Sequence, residues 1–270
     1  MTTPRILVIA GSDSSGGAGI QADIKTITML GGHAMTAITA ITAQNTLGVQ
    51  AVEVLPPEMI VAQAQSCLGD IGVDAVKIGM LGSPAIAEAV ADLLAGVDAP
   101  VVFDPVMVAT TGAVLADNAT IAAFERLMAL ATLTTPNVPE LGALGGAATL
   151  TAKGVTFLAK GGDALDDPVT DTLYRPEHDP LSWQSPRIDT RHTHGTGCTL
   201  ASAIATALGA GLDLLPAIEQ GRAFTRAAML AAPQLGRGNG PLGQQAVRLQ
   251  ASEPTAIFSG IGTVTGHDSL

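Results

Sequence analysis

Short apolar runs bounded by glycine, proline or aspartate alternate along this chain with longer alanine-rich stretches of helical period. The short, largely apolar runs at residues 6–10, 34–39, 75–78, 101–103, 132–135 and 155–159 predict buried strands. Helices are expected between them. Ser83-Pro84 supplies an N-cap hydroxyl followed by proline in the first turn, Pro57-Glu58 opens a second helix, and Asp117-Asn118 opens a third. This alternation predicts the α/β class, with a mostly parallel sheet covered by helices on both sides in three α/β/α layers. The rhythm changes between Gly161 and Arg187, where residues 170–174 and 182–183 read as short polar strands of an edge hairpin. Helical periodicity returns at 195–211 and 215–235. Beyond Gly243 it weakens, so the expected organisation is one domain over 1–243 and a tail of uncertain order over 244–270.

Charge and composition narrow the function. The 270 residues carry a formal charge of −11 and contain no Lys/Arg cluster, which argues against a nucleic-acid or anionic-membrane surface. Aromatic content is only 3%, poor material for stacking bases. Mean hydropathy is positive, yet no unbroken apolar stretch has the length of a membrane span. The first residues lack a secretory h-region, and Cys67 and Cys198 alone make no disulfide framework; both point to a reducing, cytoplasmic setting.

Four stretches follow strands or open helices, where α/β sheets place ligands. Residues 10–19 (AGSDSSGGAG) form a glycine-rich turn after the first strand, with neither Walker A nor G-x-G-x-x-G spacing. Alone, a tight turn and a ligand loop are equally good readings of it. Asp104, in FDPVM, ends a strand with a carboxylate. Glu140, in TPNVPE, falls near a helix start, where the macrodipole alone would account for it. The strongest signal is Thr193-His194-Gly195-Thr196-Gly197-Cys198-Thr199, opening an alanine-rich helix. Two glycines and a small hydroxyl residue there leave main-chain amides free to bind phosphate at the positive helix end. The same field is expected to lower the Cys198 thiol pKa.

In order, AGSDSSGGAGIQADIKT, TAITAQNTLGVQ, VKIGMLGS, FDPVMV, TPNVPE, LAKGGD and HTHGTGCTL resemble the motifs of bacterial hydroxymethylpyrimidine/phosphomethylpyrimidine kinases of thiamine biosynthesis, over roughly residues 6–243. The resemblance implies a ribokinase-like fold, ATP and Mg²⁺ as cofactors, and a homodimer. It implies that Gln44 reads the aminopyrimidine, with Gly11, Asp23, Met80 and Val106 completing the pocket. Asp104 and Glu140 would hold the Mg²⁺ water shell, and Lys160 would reach the ATP phosphates. Gly195, Thr196 and Gly197 would form the anion hole, and Cys198 would accept the hydroxymethyl proton.

Three positions depart from the family pattern. Thr110 stands where lysine is common, Arg191-His192 where Lys-Asn is usual, and the stretch from Glu140 to Lys160 is short, leaving room for a stunted crossover helix. Pyridoxal kinase is the competing enzyme reading, because its substrate is also a nitrogen ring bearing a hydroxymethyl group. A non-catalytic vitamin- or nucleotide-binding regulator would be expected to lose the carboxylates or glycines kept here. A dinucleotide-binding enzyme would want an acidic residue where Gln44-Asn45 follows the second strand.

Overall fold

Six parallel strands make the centre of the sheet, and their two-sided burial follows directly from their apolar runs. The computed structural model describes residues 2–108, 112, 115–163 and 167–247. The strands are β1 (Arg5–Asp13), β2 (His33–Asn45), β3 (Gly48–Val54), β4 (Ala75–Ile78), β5 (Val101–Phe103), β6 (Leu133–Thr134), β7 (Phe157–Ala159), β8 (Val169–Arg175) and β9 (His178–Ser185). They lie in the order β3-β2-β1-β4-β5-β6-β7-β8-β9. β2 through β7 in that order are parallel, while β3, β8 and β9 join antiparallel at the two edges.

The helices are α1 (Gly19–Met29), α2 (Pro57–Asp70), α3 (Pro84–Leu94), α4 (Asn118–Leu130), α5 (Val138–Ala143), α6 (Gly146–Ala152), α7 (Thr196–Gly209) and α8 (Leu214–Leu230). Alternation along β1 divides them. Leu7 and Ile9 pack with Ile60 of α2, Ile86 and Val90 of α3 and Phe124 of α4. Ile6, Val8 and Ala10 pack on the other side with Ile20 of α1, Ile204 of α7 and Ile218 of α8. Each such fully buried aliphatic side chain contributes about 1.5–3 kcal/mol. The three layers expected from the sequence are present, and the predicted caps form: Ser83 Oγ accepts from Ile86 N, and Asp117 Oδ1 from Thr120 N.

Several boundaries differ from the sequence reading. β2 runs six residues past the predicted Thr39 to Asn45 and folds back as β3, and a register shift between Ala43 and Gln44 marks the turn toward the site. Most of β3 is exposed, so it lacks the buried run that revealed the central strands. The short connection after Glu140 holds α5 and α6, broken at Gly145 and Gly146, whose φ values of 95° and 84° end helical propagation. Residues 244–247, assigned above to the tail, belong to the packed structure. Gln244 is buried, its side-chain amide donates to Thr199 Oγ1 at 3.0 Å, and Val247 packs with Phe224 of α8. Residues 248–270, and Thr110, lie outside the described residues.

Candidate active site

The carboxyl ends of β1, β4 and β5 and the start of α7 enclose a cleft of about 830 Å³. One end is built for charge. Gly195 caps α7 with φ 89°, and a Cβ there would lie 2.0 Å from Gly17 O, so glycine is required on two counts. Thr196 N is turned back to Thr193 O and Thr199 N to Gly195 O, whereas the helix start provides no partner for the amides of Gly197 and Cys198. A Cβ at Gly197 would come within 3.2 Å of Asp104 Oδ2 and 3.3 Å of Lys160 Nζ. The missing side chain leaves a space bordered by the Asp104 carboxylate and the Lys160 ammonium.

β5 ends at Phe103 and delivers Asp104, whose Oδ1 accepts from Thr135 Oγ1 at 3.0 Å and from Lys160 Nζ at 2.7 Å. Lys160 is set by its backbone amide bonding Pro136 O just past β7. Glu140 Oε2 caps α5 by accepting from Asn137 N and lies 3.9 Å from Lys160 Nζ. One ammonium therefore faces two carboxylates. Burial raises the Glu140 carboxyl to about 7; Lys160 opposes the shift and Asp104 adds to it. Among the described residues no cluster of three or more metal-ligating side chains occurs. The two carboxylates thus fit a hydrated divalent cation shared with a ligand's phosphates, not a closed protein cage, and the excess negative charge is what such a cation would offset.

The expected depression of the Cys198 thiol pKa is overturned. Burial pushes it up to about 11; Lys77 pulls it down, but Asp23 and Asp104 push the same way as burial. Desolvation and the neighbouring carboxylates favour the thiol form of Cys198 at neutral pH.

Gly11, Gln44, Met80 and Val106 also border the cleft, and a Cβ at Gly11 would lie 3.0 Å from Met80 Sδ, so the glycine leaves room for the methionine. Asp23 does not reach the cleft. It is fully buried on α1, where it accepts from Lys77 Nζ at 2.9 Å and from Ser202 Oγ at 2.7 Å. The helical register turns its carboxylate toward β4 and α7, away from the pocket.

Three residues not singled out from the sequence also belong here. Lys77 sits inside β4, fully buried, and borders the cleft floor; a Cβ at Gly79 would fall 2.8 Å from its Nζ. Burial opposes its charge, yet Asp23, Cys198 and Asp104 hold its pKa above the ordinary lysine value. A lysine in the middle of an otherwise apolar strand was the available signal. Asp13 and His194 are buried and bonded at 2.9 Å, joining the first glycine loop to the second.

The phosphomethylpyrimidine kinase family model matches residues 13–243. A hydroxymethylpyrimidine/phosphomethylpyrimidine kinase of Streptomyces coelicolor is 46% identical over 256 residues, covering 90% of this chain and 94% of that one. Among solved structures, the pyridoxal kinase of Bacillus subtilis in an ADP complex superposes with a TM-score of 0.84 at 34% identity, covering 92% of this chain and 100% of that one. A phosphomethylpyrimidine kinase from Clostridium difficile gives a TM-score of 0.70 at 34% identity, covering 83% and 98%.

Proposed function

The chain belongs to the phosphomethylpyrimidine kinase family, and from that premise we propose that it transfers the γ-phosphoryl group of ATP to the hydroxymethyl oxygen of 4-amino-5-hydroxymethyl-2-methylpyrimidine in thiamine biosynthesis, and then phosphorylates the monophosphate. The observation that carries this reading is the void at Gly197, bordered by Asp104 and Lys160 at the start of α7, in a cleft that Gln44 and Met80 also line. On this reading the void takes the phosphate and the Gln44 side of the cleft takes the heterocycle.

The transfer passes through a loose transition state in which positioning and neutralisation of charge matter more than base strength. Amides of Gly197 and Cys198 donate to the migrating phosphoryl oxygens, with Gly195 and Thr196 shaping the turn. Lys160 offsets charge on the β- and γ-phosphates. Its ammonium is kept protonated by Asp104 and Glu140 against the effect of burial. When Mg²⁺ is bound, Asp104 and Glu140 hold its water shell and the ion supplies charge neutralisation at the phosphates. Met80 packs against the ring, and Gln44 offers it a donor and an acceptor. In a loose transition state the alcohol proton leaves late and can pass to an oxygen of the transferred phosphoryl group, so the step does not require Cys198 to be deprotonated.

Pyridoxal phosphorylation is the second reading, favoured by the closer superposition on the pyridoxal kinase of Bacillus subtilis than on the phosphomethylpyrimidine kinase from Clostridium difficile. The exposed apolar residues Ile41, Leu47, Val52 and Val54 on the β2–β3 extension support the expected homodimer. Mass spectrometry of products from the aminopyrimidine, pyridoxal, ATP and Mg²⁺ tests the assignment. One and then two added phosphates on the pyrimidine are expected; phosphate appearing on pyridoxal alone overturns the reading.

A further inference from the structure

Lys160 stands one residue past the end of β7, where the sheet's own ladder no longer holds the chain on both sides. The β7–β8 ladder ends with Ala159 opposite Thr172. On the β6 side, Lys160 N donates to Pro136 O at 2.9 Å. The next amide reaches to the opposite neighbour: Gly161 N donates to Asp171 Oδ1 at 3.0 Å. A side chain of β8 thus continues the hold where the backbone pairing stops. Gly161 lies so close on β8 that a Cβ there would fall 2.1 Å from Thr170 O. Pinned between Pro136 and Asp171, Lys160 brings its ammonium to 2.7 Å from Asp104 Oδ1.

Asp171 is itself fixed from α8. Its second oxygen accepts from Arg222 Nε at 2.7 Å, and the side chains of Arg222 and Asp171 are only 15% and 14% exposed. Arg222 Nη2 also donates to Ser185 Oγ at 3.2 Å and to Trp183 O at 3.4 Å, both on β9. The guanidinium carbon lies 5.8 Å from the centre of the Trp183 ring, within cation–π range. Trp183 Nε1 in turn donates to Glu219 Oε1, one turn earlier on α8. Arginine and tryptophan together clasp α8 to the β8–β9 hairpin around one carboxylate. Asp171 and Arg222 border the cleft, yet neither is among the nearest neighbours of the Gly197 void. Arg222 matches the charge of Asp171, so this carboxylate can border the cleft without repelling an anion.

We propose that Asp171 and Arg222 are positioning residues for phosphoryl transfer: Asp171 fixes the Lys160–Gly161 peptide, Arg222 fixes Asp171, and together they present the Lys160 ammonium to the nucleotide's phosphates. This rests on the function proposed above. A double-mutant cycle with Lys160→Met separates this role from a structural one, because residues that act through a single group do not lose additively. Asp171→Ala should lower kcat/KM for ATP about 30-fold, in the range for a displaced catalytic group, while KM for the aminopyrimidine stays within about twofold. Beside Lys160→Met the same change should cost less than about twofold. Asp171→Asn keeps an acceptor for Gly161 N and should recover most of the loss. A loss from Asp171→Ala that persists in full beside Lys160→Met overturns the inference, as does an equal loss in KM for the aminopyrimidine. If Asp171→Ala does not fold, Arg222→Gln crossed with Lys160→Met decides: a loss that vanishes beside Lys160→Met supports the proposal, and one that persists overturns it. If wild type binds ATP but phosphorylates no pyrimidine, the proposed function falls, and the same cycle read as the calorimetric Kd for ATP still tests the positioning.

Discussion

Two lysine–carboxylate pairs lie under the same cleft and do opposite jobs. Lys77–Asp23 spans 2.9 Å with both side chains at 0% exposure, while Lys160–Asp104 spans 2.7 Å with side-chain exposures of 13% and 2%. The first is closed: Ser202 takes the second Asp23 oxygen, and one positive charge meets one negative. The second is open and unbalanced, because Glu140 adds a carboxylate 3.9 Å from the same ammonium. A satisfied pair ties α1, β4 and α7 together. An unsatisfied pair facing a void has charge left over for a ligand and a cation. What keeps the second pair open is one missing Cβ at Gly197, 3.2 Å from the carboxylate and 3.3 Å from the ammonium.

The most drastic way to erase this contrast is Gly197→Val. A branched side chain would occupy the void and close the open pair, and kcat should fall at least about 1,000-fold, as expected when an oxyanion-type site is lost. Thermal melting should change little, since the new atoms enter a cleft and not the core. Wild-type turnover in this variant would remove the anion-hole assignment.

Next come the two lysines, exchanged for methionine one at a time. Lys77→Met leaves Asp23 as an uncompensated buried charge and should cost about 3–5 kcal/mol in urea unfolding. Adding Asp23→Leu should return most of that loss, because replacing both partners by apolar groups is close to neutral. Lys160→Met should lower kcat/KM for ATP about 100-fold while costing less than half as much stability, since removing the partly exposed ammonium opens Asp104 to cleft water. Equal stability losses for the two single variants would mean that the pairs do not differ as described.

The same contrast explains what the sequence could and could not reveal. The strands at 6–10 and 101–103 stand out because both faces are buried, leaving unbroken apolar runs, and 75–78 is interrupted only by Lys77. β3 and β9 are largely exposed and carry no such run, and β2 past Thr39 buries only alternate positions. The open half of the site was visible, since its glycines, strand-end Asp104 and Lys160 occur in motifs whose spacing implies a ligand. The closed pair was not. Asp23 was placed in the pocket by resemblance, and only the helical register of α1 shows that it points at Lys77 instead. The link from Asp13 to His194 crosses 181 positions of sequence and exists only in the folded chain.

Cys198 provides a smaller test, because it touches both pairs electrostatically. Lys77 lowers its thiol pKa while burial, Asp23 and Asp104 raise it to about 11. As a thiol it contributes little proton abstraction in the resting state, and Cys198→Ala should reduce kcat only about 10-fold, well short of the range for an essential general base. A loss as deep as that of Gly197→Val would restore Cys198 as the base.

The finest effect is a pH limb belonging to the open pair. Burial raises the Glu140 carboxyl from its ordinary value to about 7, with Lys160 opposing and Asp104 adding to the rise. Below pH 7 Glu140 is therefore largely protonated in the folded protein and cannot help to hold a cation. At low Mg²⁺, kcat/KM for ATP should rise with pH through a midpoint near 7. The native state binds more protons than the unfolded chain between the ordinary glutamate value and 7, so this group's contribution to stability should decline as pH rises across that window. Mg²⁺ competes with the proton, so raising its concentration should move the rate midpoint downward by several tenths of a pH unit. Glu140→Gln should remove the limb altogether. Rate–pH profiles at two Mg²⁺ concentrations decide the point: a limb that ignores Mg²⁺ and survives Glu140→Gln belongs to another group, and the excess carboxylate is then no cation holder.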